Sequence, residues 1–290
     1  MCAKKEKTNS IFKYPVDSYK KVNNVIITDT IPEIEKYQRQ KPNWYVRPQK
    51  DSRQIYKHQY DLRKKLLRKD LKKIIAHLKK RKLVFLDIGC GDGHGLEDIK
   101  PFKRKLEIYG CDYNLLRLSR AKKLAPYATL FLADANKELI KDASCDIILL
   151  NHVLEHVHDD LGLLKKIYAY LANGGYLLLG IPQEGTPGVW IRDHILEPYI
   201  LFKTDHVHFY TDKEIIKKLK KVGFRITGLK YLDYAFPHSI IDRYLRSSKK
   251  THDFMESFGH KYIKRVGAGA LWIVVQKPAE SRGGKQVLKG

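Results

Sequence analysis

The chain has 290 residues, a mean hydropathy of −0.44, and 43% hydrophobic against 30% charged side chains. That balance excludes a disordered or fibrous chain and leaves a globular protein with enough length for one large core. Lys and Arg number 56 against 32 Asp and Glu, a formal charge of +24, which makes nucleic acid, anionic membrane or anionic small molecules worth testing without choosing among them.

Residues 1–50 are polar and punctuated by Pro15, Pro32, Pro42 and Pro48, so an extended N-terminal arm is expected. Behind the opening MCAKKEKTNS there is no apolar stretch, so no secretory leader is expected and the cytoplasm is the default location. Residues 51–82 then carry Leu62, Leu66, Leu67, Leu71, Ile74, Ile75 and Leu78 at helical spacing with Arg63, Lys64, Lys65, Lys69, Lys72 and Lys73 between them. This basic helix has two readings. It is a face for phosphate or membrane, or its leucines pack on the following domain while its lysines face water.

The charge is unevenly placed. Residues 1–82 hold 24 basic and 8 acidic side chains, residues 83–182 hold 12 and 13, and residues 183–290 hold 20 and 11. A neutral middle between basic flanks suggests that the chemistry of the middle needs no positive field.

From residue 83 strand-like and helix-like segments alternate. Candidate strands are Leu83 to Ile88, Leu106 to Cys111, Ala128 to Leu132, Asp146 to Leu150, Tyr176 to Ile181, Phe224 to Tyr231 and Ala270 to Lys277; helical patterns cover Leu115 to Leu124, Leu161 to Leu171, Asp212 to Lys221 and Ser239 to Lys264. Such alternation indicates a mostly parallel α/β sheet with helices on both faces. The longest apolar stretches fall far short of the roughly 20 residues of a membrane span, so none is expected. Residues 51–278 read as one domain and 279–290 as a disordered tail. Cys2, Cys90, Cys111 and Cys145 are widely spaced, as reduced structural thiols are.

In Val84-Phe-Leu-Asp-Ile-Gly-Cys-Gly-Asp-Gly93 a strand runs into a glycine-rich turn that opens a helix, the ligand end of open α/β sheets. A dinucleotide G-x-G-x-x-G beginning at Gly89 needs glycine where His94 stands, and no phosphate-loop signature occurs elsewhere. Asp87, two residues before the first glycine, would repel a pyrophosphate but suits loop ordering or an amino group.

The run Asp87-x-Gly89-x-Gly91-x-Gly93, Asp112 in IYGCDYN, Asp134 in FLADA, then ILLNHVLEHV and LANGGYLLLGIP resembles the class I S-adenosylmethionine-dependent methyltransferases, with the quinone- and sugar-modifying branch as the nearest likeness. The likeness covers about residues 83 to 277. It implies a Rossmann-like, doubly wound sheet of seven mostly parallel strands with one antiparallel strand, preceded here by the N-terminal helical extension. It also implies S-adenosyl-L-methionine as cofactor, with Asp87, Gly89, Cys90, Gly91 and Gly93 against its methionine part. Asp112 would accept the ribose hydroxyls, Asp134 and the Ala135 N–H would meet the adenine, and Tyr113 would cover its face. Asn151 and His152 would line the methionine side.

Methyl transfer from a sulfonium is an in-line displacement, in which the protein positions the nucleophile and, for a hydroxyl, takes its proton. Histidines gather where that site would open: His152, His156 and His158 after the fourth strand, and His206 and His208 in DHVHFYT, expected to point the same way if the segment is extended. The expected bases are His156, His208 and His152, each with a bland alternative in packing or capping. A metal site from His152, His156 and His158 fits by spacing, but no carboxylate arrangement demands it, and no metal is expected. The [DN]-P-P-[YFW] motif of amino-directed nucleic-acid methyltransferases is absent, as is a Pro-Cys nucleophile. Residues 185–204 and 237–267 would cover the substrate, with Trp190, Tyr199, Phe202 and Phe209 either lining a pocket or belonging to the core. The expected activity is O-methylation of a small-molecule acceptor. The rivals are an RNA-modifying methyltransferase that grips phosphates with the basic flanks, and a non-catalytic cofactor-binding protein.

Overall fold

The computed structural model describes residues 11–14, 18–28, 56–135, 137, 140–198, 206–234, 236, 238–263 and 267–279. One nine-stranded sheet organises them. In chain order its strands are β1 (Lys20–Val22), β2 (Val25–Ile27), β3 (Leu83–Ile88), β4 (Leu106–Asp112), β5 (Thr129–Leu132), β6 (Cys145–Asn151), β7 (Leu171–Pro182), β8 (Arg225–Tyr234) and β9 (Ala268–Gln276), and across the sheet the order is β1-β2-β5-β4-β3-β6-β7-β9-β8. The helices are α1 (Lys57–Leu78), α2 (His94–Asp98), α3 (Leu115–Leu124), α4 (Asp160–Tyr170), α5 (Pro187–Ile191), α6 (Asp212–Val222), α7 (Ser239–Ser247) and α8 (Lys249–Phe258).

The central strands β3, β6 and β7 are nearly continuous apolar runs because helices cover both faces of a parallel sheet. Phe85, Leu86, Ile147, Ile148, Leu177 and Leu178 are all fully buried. Alternate residues feed two core layers. Leu86, Ile148 and Leu177 join Leu163, Ile167, Ile215 and Leu219 of α4 and α6 on one face. Phe85, Ile147 and Leu178 join Leu67, Leu71 and Ile74 of α1 with Leu118 of α3 on the other.

The seven expected strands are present, with β9 as the antiparallel member inserted between β7 and β8. The correction is at the opposite edge, where the arm supplies two more. Val22 and Val25 pair across a tight turn with Asn23 and Asn24 in the left-handed region, and β2 then pairs parallel to β5. Ile11 and Phe12 are buried at 1% exposure, and Phe12 sits edge-on to Phe131 with ring centroids 4.9 Å apart. The arm is thus partly sheet and core. Pro15, Pro32, Pro42 and Pro48 all lie outside the described residues.

The basic helix begins later than expected, at Lys57, and docks firmly. Leu66, Leu67, Leu71 and Ile74 are buried, Asp70 accepts the Trp272 indole N–H at 2.8 Å, and Arg63 forms an ion pair with Asp233 of β8. Lys65, Lys69, Lys72 and Lys73 face water. The segment expected as one helix from Ser239 to Lys264 is broken at Ser248, whose extended backbone separates α7 from α8. Trp190 and Phe209 are 53% and 42% exposed and so are not core, while Tyr199 and Phe202 lie outside the described residues. The expected tail, 279–290, lies outside them beyond residue 279. Cys90, Cys111 and Cys145 are buried and unbridged, as expected. No helix among the described residues is long and apolar enough to cross a membrane.

Candidate active site

Chain direction decides where a ligand can sit. After β3 the chain builds β4 and β5 to one side, then crosses back to place β6 on the other side of β3. The strand order therefore reverses between β3 and β6, and open α/β sheets bind their ligands outside the carboxyl ends of the strands at such a switch point. The loop Gly89–Gly93 and residues 151–156 meet there. Their contact is close: a Cβ on Gly89 would lie 2.3 Å from Val153 Cγ2.

The loop is held by its own backbone and by buried acids. Gly89 and Cys90 both donate N–H to the Cys111 carbonyl, at 2.8 and 2.9 Å. Gly93, at φ +86°, enters α2 through a conformation that costs an L side chain about 1–2 kcal/mol. Asp112, 4% exposed at the end of β4, accepts the Gly91 N–H at 2.9 Å through Oδ2 and the Asn114 N–H at 2.9 Å through Oδ1. A carboxylate has about four acceptor directions, so a bound ribose can still be met. Asp87 is likewise 4% exposed, and its Oδ2 approaches Gly95 so closely that a Cβ there would be 2.9 Å away. Burial pushes the Asp87 carboxyl well up from its ordinary range, and the charge of Asp112 adds to it. Burial also raises Asp112, against which Arg117 and the two N–H donors pull.

The expected adenine side is more open. Tyr113, Asp134 and Ala135 are half-buried beyond the ends of β4 and β5, and the Asp134 carbonyl accepts the Lys137 N–H at 3.0 Å. Asn151 ends β6 with Oδ1 against Gly180, where a Cβ would lie 2.1 Å away. The expected cofactor residues therefore gather at the carboxyl ends of neighbouring strands. Two supports were missed in the sequence. Asp92 and Arg117, 4% and 8% exposed, pair inside the loop at 3.3 Å, and nothing local in the sequence joins residues 25 apart.

On the acceptor side the structure divides the histidines. His152, at φ +54°, donates its backbone N–H to the Gly180 carbonyl at 2.8 Å and places Nδ1 3.2 Å from Glu155 Oε1. Glu155 is fully buried on the turn Leu154–His156, and His156 Nε2 lies 4.0 Å from the same Oε1. Burial raises the Glu155 pKa, but the His152 hydrogen bond and the charges of both histidines outweigh it and hold the carboxyl below its usual range. Val207 and His208 donate their backbone N–H groups to the Glu155 carbonyl at 2.8 and 3.2 Å. That staple brings His206 against His156, with ring centroids 4.8 Å apart and planes at 72°. Glu184 Oε2 lies 2.7 Å from His206 Nδ1.

Contrary to the expectation for an extended pair, His206 and His208 do not point the same way. His208 Nε2 is 3.0 and 3.1 Å from the Val157 and His158 carbonyls, and its ring stacks on Tyr210. Its interactions serve the neighbouring turn instead of the Glu155 cluster. His158 is exposed, so the spacing 152, 156, 158 does not form a site. Glu155 and Glu184 were missed in the sequence. The run H-x-x-E-H from His152 to His156 is the signal that marks Glu155, whereas Glu184 has none.

A methyltransferase-domain family model matches residues 56–229, more than half of the chain. The tRNA 5-carboxymethoxyuridine methyltransferase of Escherichia coli is 31% identical over 139 residues, 45% of this chain and 52% of that protein. The trans-aconitate 2-methyltransferase of Variovorax paradoxus is 30% identical over 99 residues, 34% of this chain and 38% of that protein. The chain spans less than two thirds of the length of the curated relatives it matches. A solved S-adenosylmethionine-dependent methyltransferase from Archaeoglobus fulgidus shares the fold at a TM-score of 0.50 and 18% identity, over 74% of this chain and 94% of that one. With the glycine loop, the strand-end acids and the sheet order in agreement, the chain belongs to the class I S-adenosylmethionine-dependent methyltransferase family.

Proposed function

We propose that the chain transfers the methyl group of S-adenosylmethionine to an oxygen of an anionic small molecule. The observation that carries this reading is the juxtaposition at the switch point of a buried, acid-braced glycine loop with the His152, Glu155, His156 and His206 cluster, joined through the Gly89–Val153 contact. The glycine loop, Asp87 and Asn151 would hold the methionine part, and Asp112, Tyr113, Asp134 and Ala135 the nucleoside. When bound, the cofactor supplies an electrophilic methyl on a sulfonium.

The protein's own work is positioning and proton handling. His152 and His156 flank an ionised carboxylate, which supports them as groups that orient an acceptor or receive its proton. An anionic acceptor is supported by the cover. Arg246, on α7, is 2% exposed, and its two terminal nitrogens find no hydrogen-bond partner among the described residues. Its Nε pairs with Asp242 at 2.8 Å, and its charge helps to hold the Asp233 carboxyl below its usual range. The two curated relatives above are both named for acceptors that carry a carboxylate, in line with this reading.

A second reading, an RNA acceptor, rests on the exposed lysines of α1 and on the tRNA-directed relative. Both are tested by incubating the full chain with methyl-labelled cofactor and, separately, a panel of small carboxylic and hydroxy acids and total tRNA. The proposal expects base-labile or ether-bound label in an acid of the panel. Label in tRNA alone, with binding that falls steeply as salt rises, overturns it in favour of the second. Cofactor binding by calorimetry without transfer to either pool identifies a non-catalytic binder.

A further inference from the structure

The cluster beside the glycine loop has a composition that proton transfer alone does not require. Glu155, His156 and His206 each offer one ligand atom, and the three atoms lie within 4.8 Å of one another. Glu155 is fully buried, and Oε2 has no hydrogen-bond donor among the described residues. A carboxylate oxygen in the interior without a donor or cation is unfavourable. His152 and His156 supply only part of the compensation, through Oε1.

We propose that Glu155, His156 and His206 bind one divalent first-row transition-metal ion. Two imidazoles and one carboxylate, with no thiolate, form the nitrogen and oxygen set that suits Zn²⁺, Mn²⁺, Fe²⁺ or Co²⁺. Metal–ligand bonds of about 2.0–2.2 Å put tetrahedral ligand atoms roughly 3.4 Å apart, so the observed set closes around an ion as the imidazoles rotate inward. Glu184 completes the device from behind. Its Oε2 accepts the Nδ1 proton of His206 at 2.7 Å, which selects the tautomer with Nε2 as the Lewis base and orients the ring, the usual carboxylate–histidine arrangement behind a metal. His152, hydrogen-bonded to Glu155 Oε1, plays the same part for the carboxylate.

Three protein ligands leave an open position. On the methyl-transfer reading, from which this one detail follows, the open position takes an oxygen of the acceptor, so that His156 serves as a ligand and His152 remains to receive a proton. Metal binding itself does not depend on that reading.

The test uses the untagged full chain, stripped with chelator and titrated with Co²⁺ by visible absorption and with Zn²⁺ and Mn²⁺ by equilibrium dialysis and elemental analysis. One ion per chain with ligand-field bands is expected. Affinity should fall at least a hundredfold in His156→Ala and His206→Ala, about tenfold in Glu184→Gln, and not at all in His158→Ala. Absence of ligand-field bands and of stoichiometric uptake by the wild type overturns the proposal whether or not the variants fold, as does uptake that survives the paired His156→Ala and His206→Ala changes. Calorimetry of the stripped protein with S-adenosylmethionine separates the two readings. Cofactor binding without metal uptake removes the metal site alone, and metal uptake without cofactor binding removes the methyl-transfer reading alone.

Discussion

Asp112 accepts the Gly91 N–H through Oδ2 and the Asn114 N–H through Oδ1, both at 2.9 Å, so one buried carboxylate fixes the glycine loop and the start of α3 together. Removing it frees two buried N–H groups and, on the proposed reading, deletes the acceptor for the ribose. Asp112→Ala is expected to raise the dissociation constant for S-adenosylmethionine at least tenfold, about 1.4 kcal/mol, and to lower the melting temperature. Titration calorimetry on wild type and variant checks it, and an unchanged constant contradicts the role given to Asp112.

Gly93 combines a left-handed backbone with a close approach: φ is +86°, and a Cβ would lie 2.8 Å from both Cα and Cβ of Ala121 on α3. Gly174 has a similar φ of +79° but nothing within 4 Å of its Cβ position. Gly93→Ala should therefore cost about 2–4 kcal/mol, conformational strain plus overpacking, whereas Gly174→Ala should cost only about 1 kcal/mol. Urea unfolding of the pair distinguishes steric from purely conformational cost.

The basic helix carries a further contrast. Asp233 is 6% exposed, and Arg63 beside it helps hold its carboxyl below the usual range against the upward push of burial. Arg63→Ala strands that charge and should destabilise the protein by about 3–5 kcal/mol. Replacing the exposed Lys65, Lys69 and Lys72 by Gln should change stability by less than about 0.5 kcal/mol each. Denaturant midpoints report both, and a large loss from the lysine changes would show that they support the fold.

Glu256 of α8 supplies a pH signature. Burial lifts its carboxyl from 4.5 to about 7, with the charge of Asp233 adding and Arg246 opposing. A group raised on folding holds its proton in the native state after the unfolded chain has released it. Its stabilisation is present below pH 4.5 and is lost as pH rises through about 7. Glu256→Gln, which keeps an acceptor for the Tyr234 N–H, should flatten the stability–pH curve in that window. The variant should exceed wild type by roughly 1–3 kcal/mol near pH 8. Thermal melts from pH 4.5 to 8 check the crossing.

The sequence by itself determined the architecture and the backbone of the glycine loop. β3 runs from Leu83 to Ile88 and α3 from Leu115 to Leu124 in the structure, as the pattern indicates, because double burial leaves a continuous apolar run and an amphipathic helix leaves its own period. The loop from Asp87 to Gly93 is legible for the same reason: its backbone requirements are met by adjacent residues. The strand-end acids Asp112 and Asp134 need only the strand boundaries to be right.

Tertiary structure alone decided the rest, where partners are distant in the chain. Arg63 meets Asp233 across 170 positions, and Trp272 meets Asp70 across 202, which is why the sequence offers the docking of the basic helix only as one of two readings. The β1–β2 hairpin is two three-residue strands, too short to show a period, and it exists because the edge of β5 pairs with it. His206 turns to His156 and Glu184 while His208 turns to the Val157 and His158 carbonyls because two backbone N–H groups dock on the Glu155 carbonyl. Such a staple has no side-chain code. Local periodicity and turn chemistry are written residue by residue, whereas the convergence of Glu155, His156, His206 and Glu184 is a property of packed backbones.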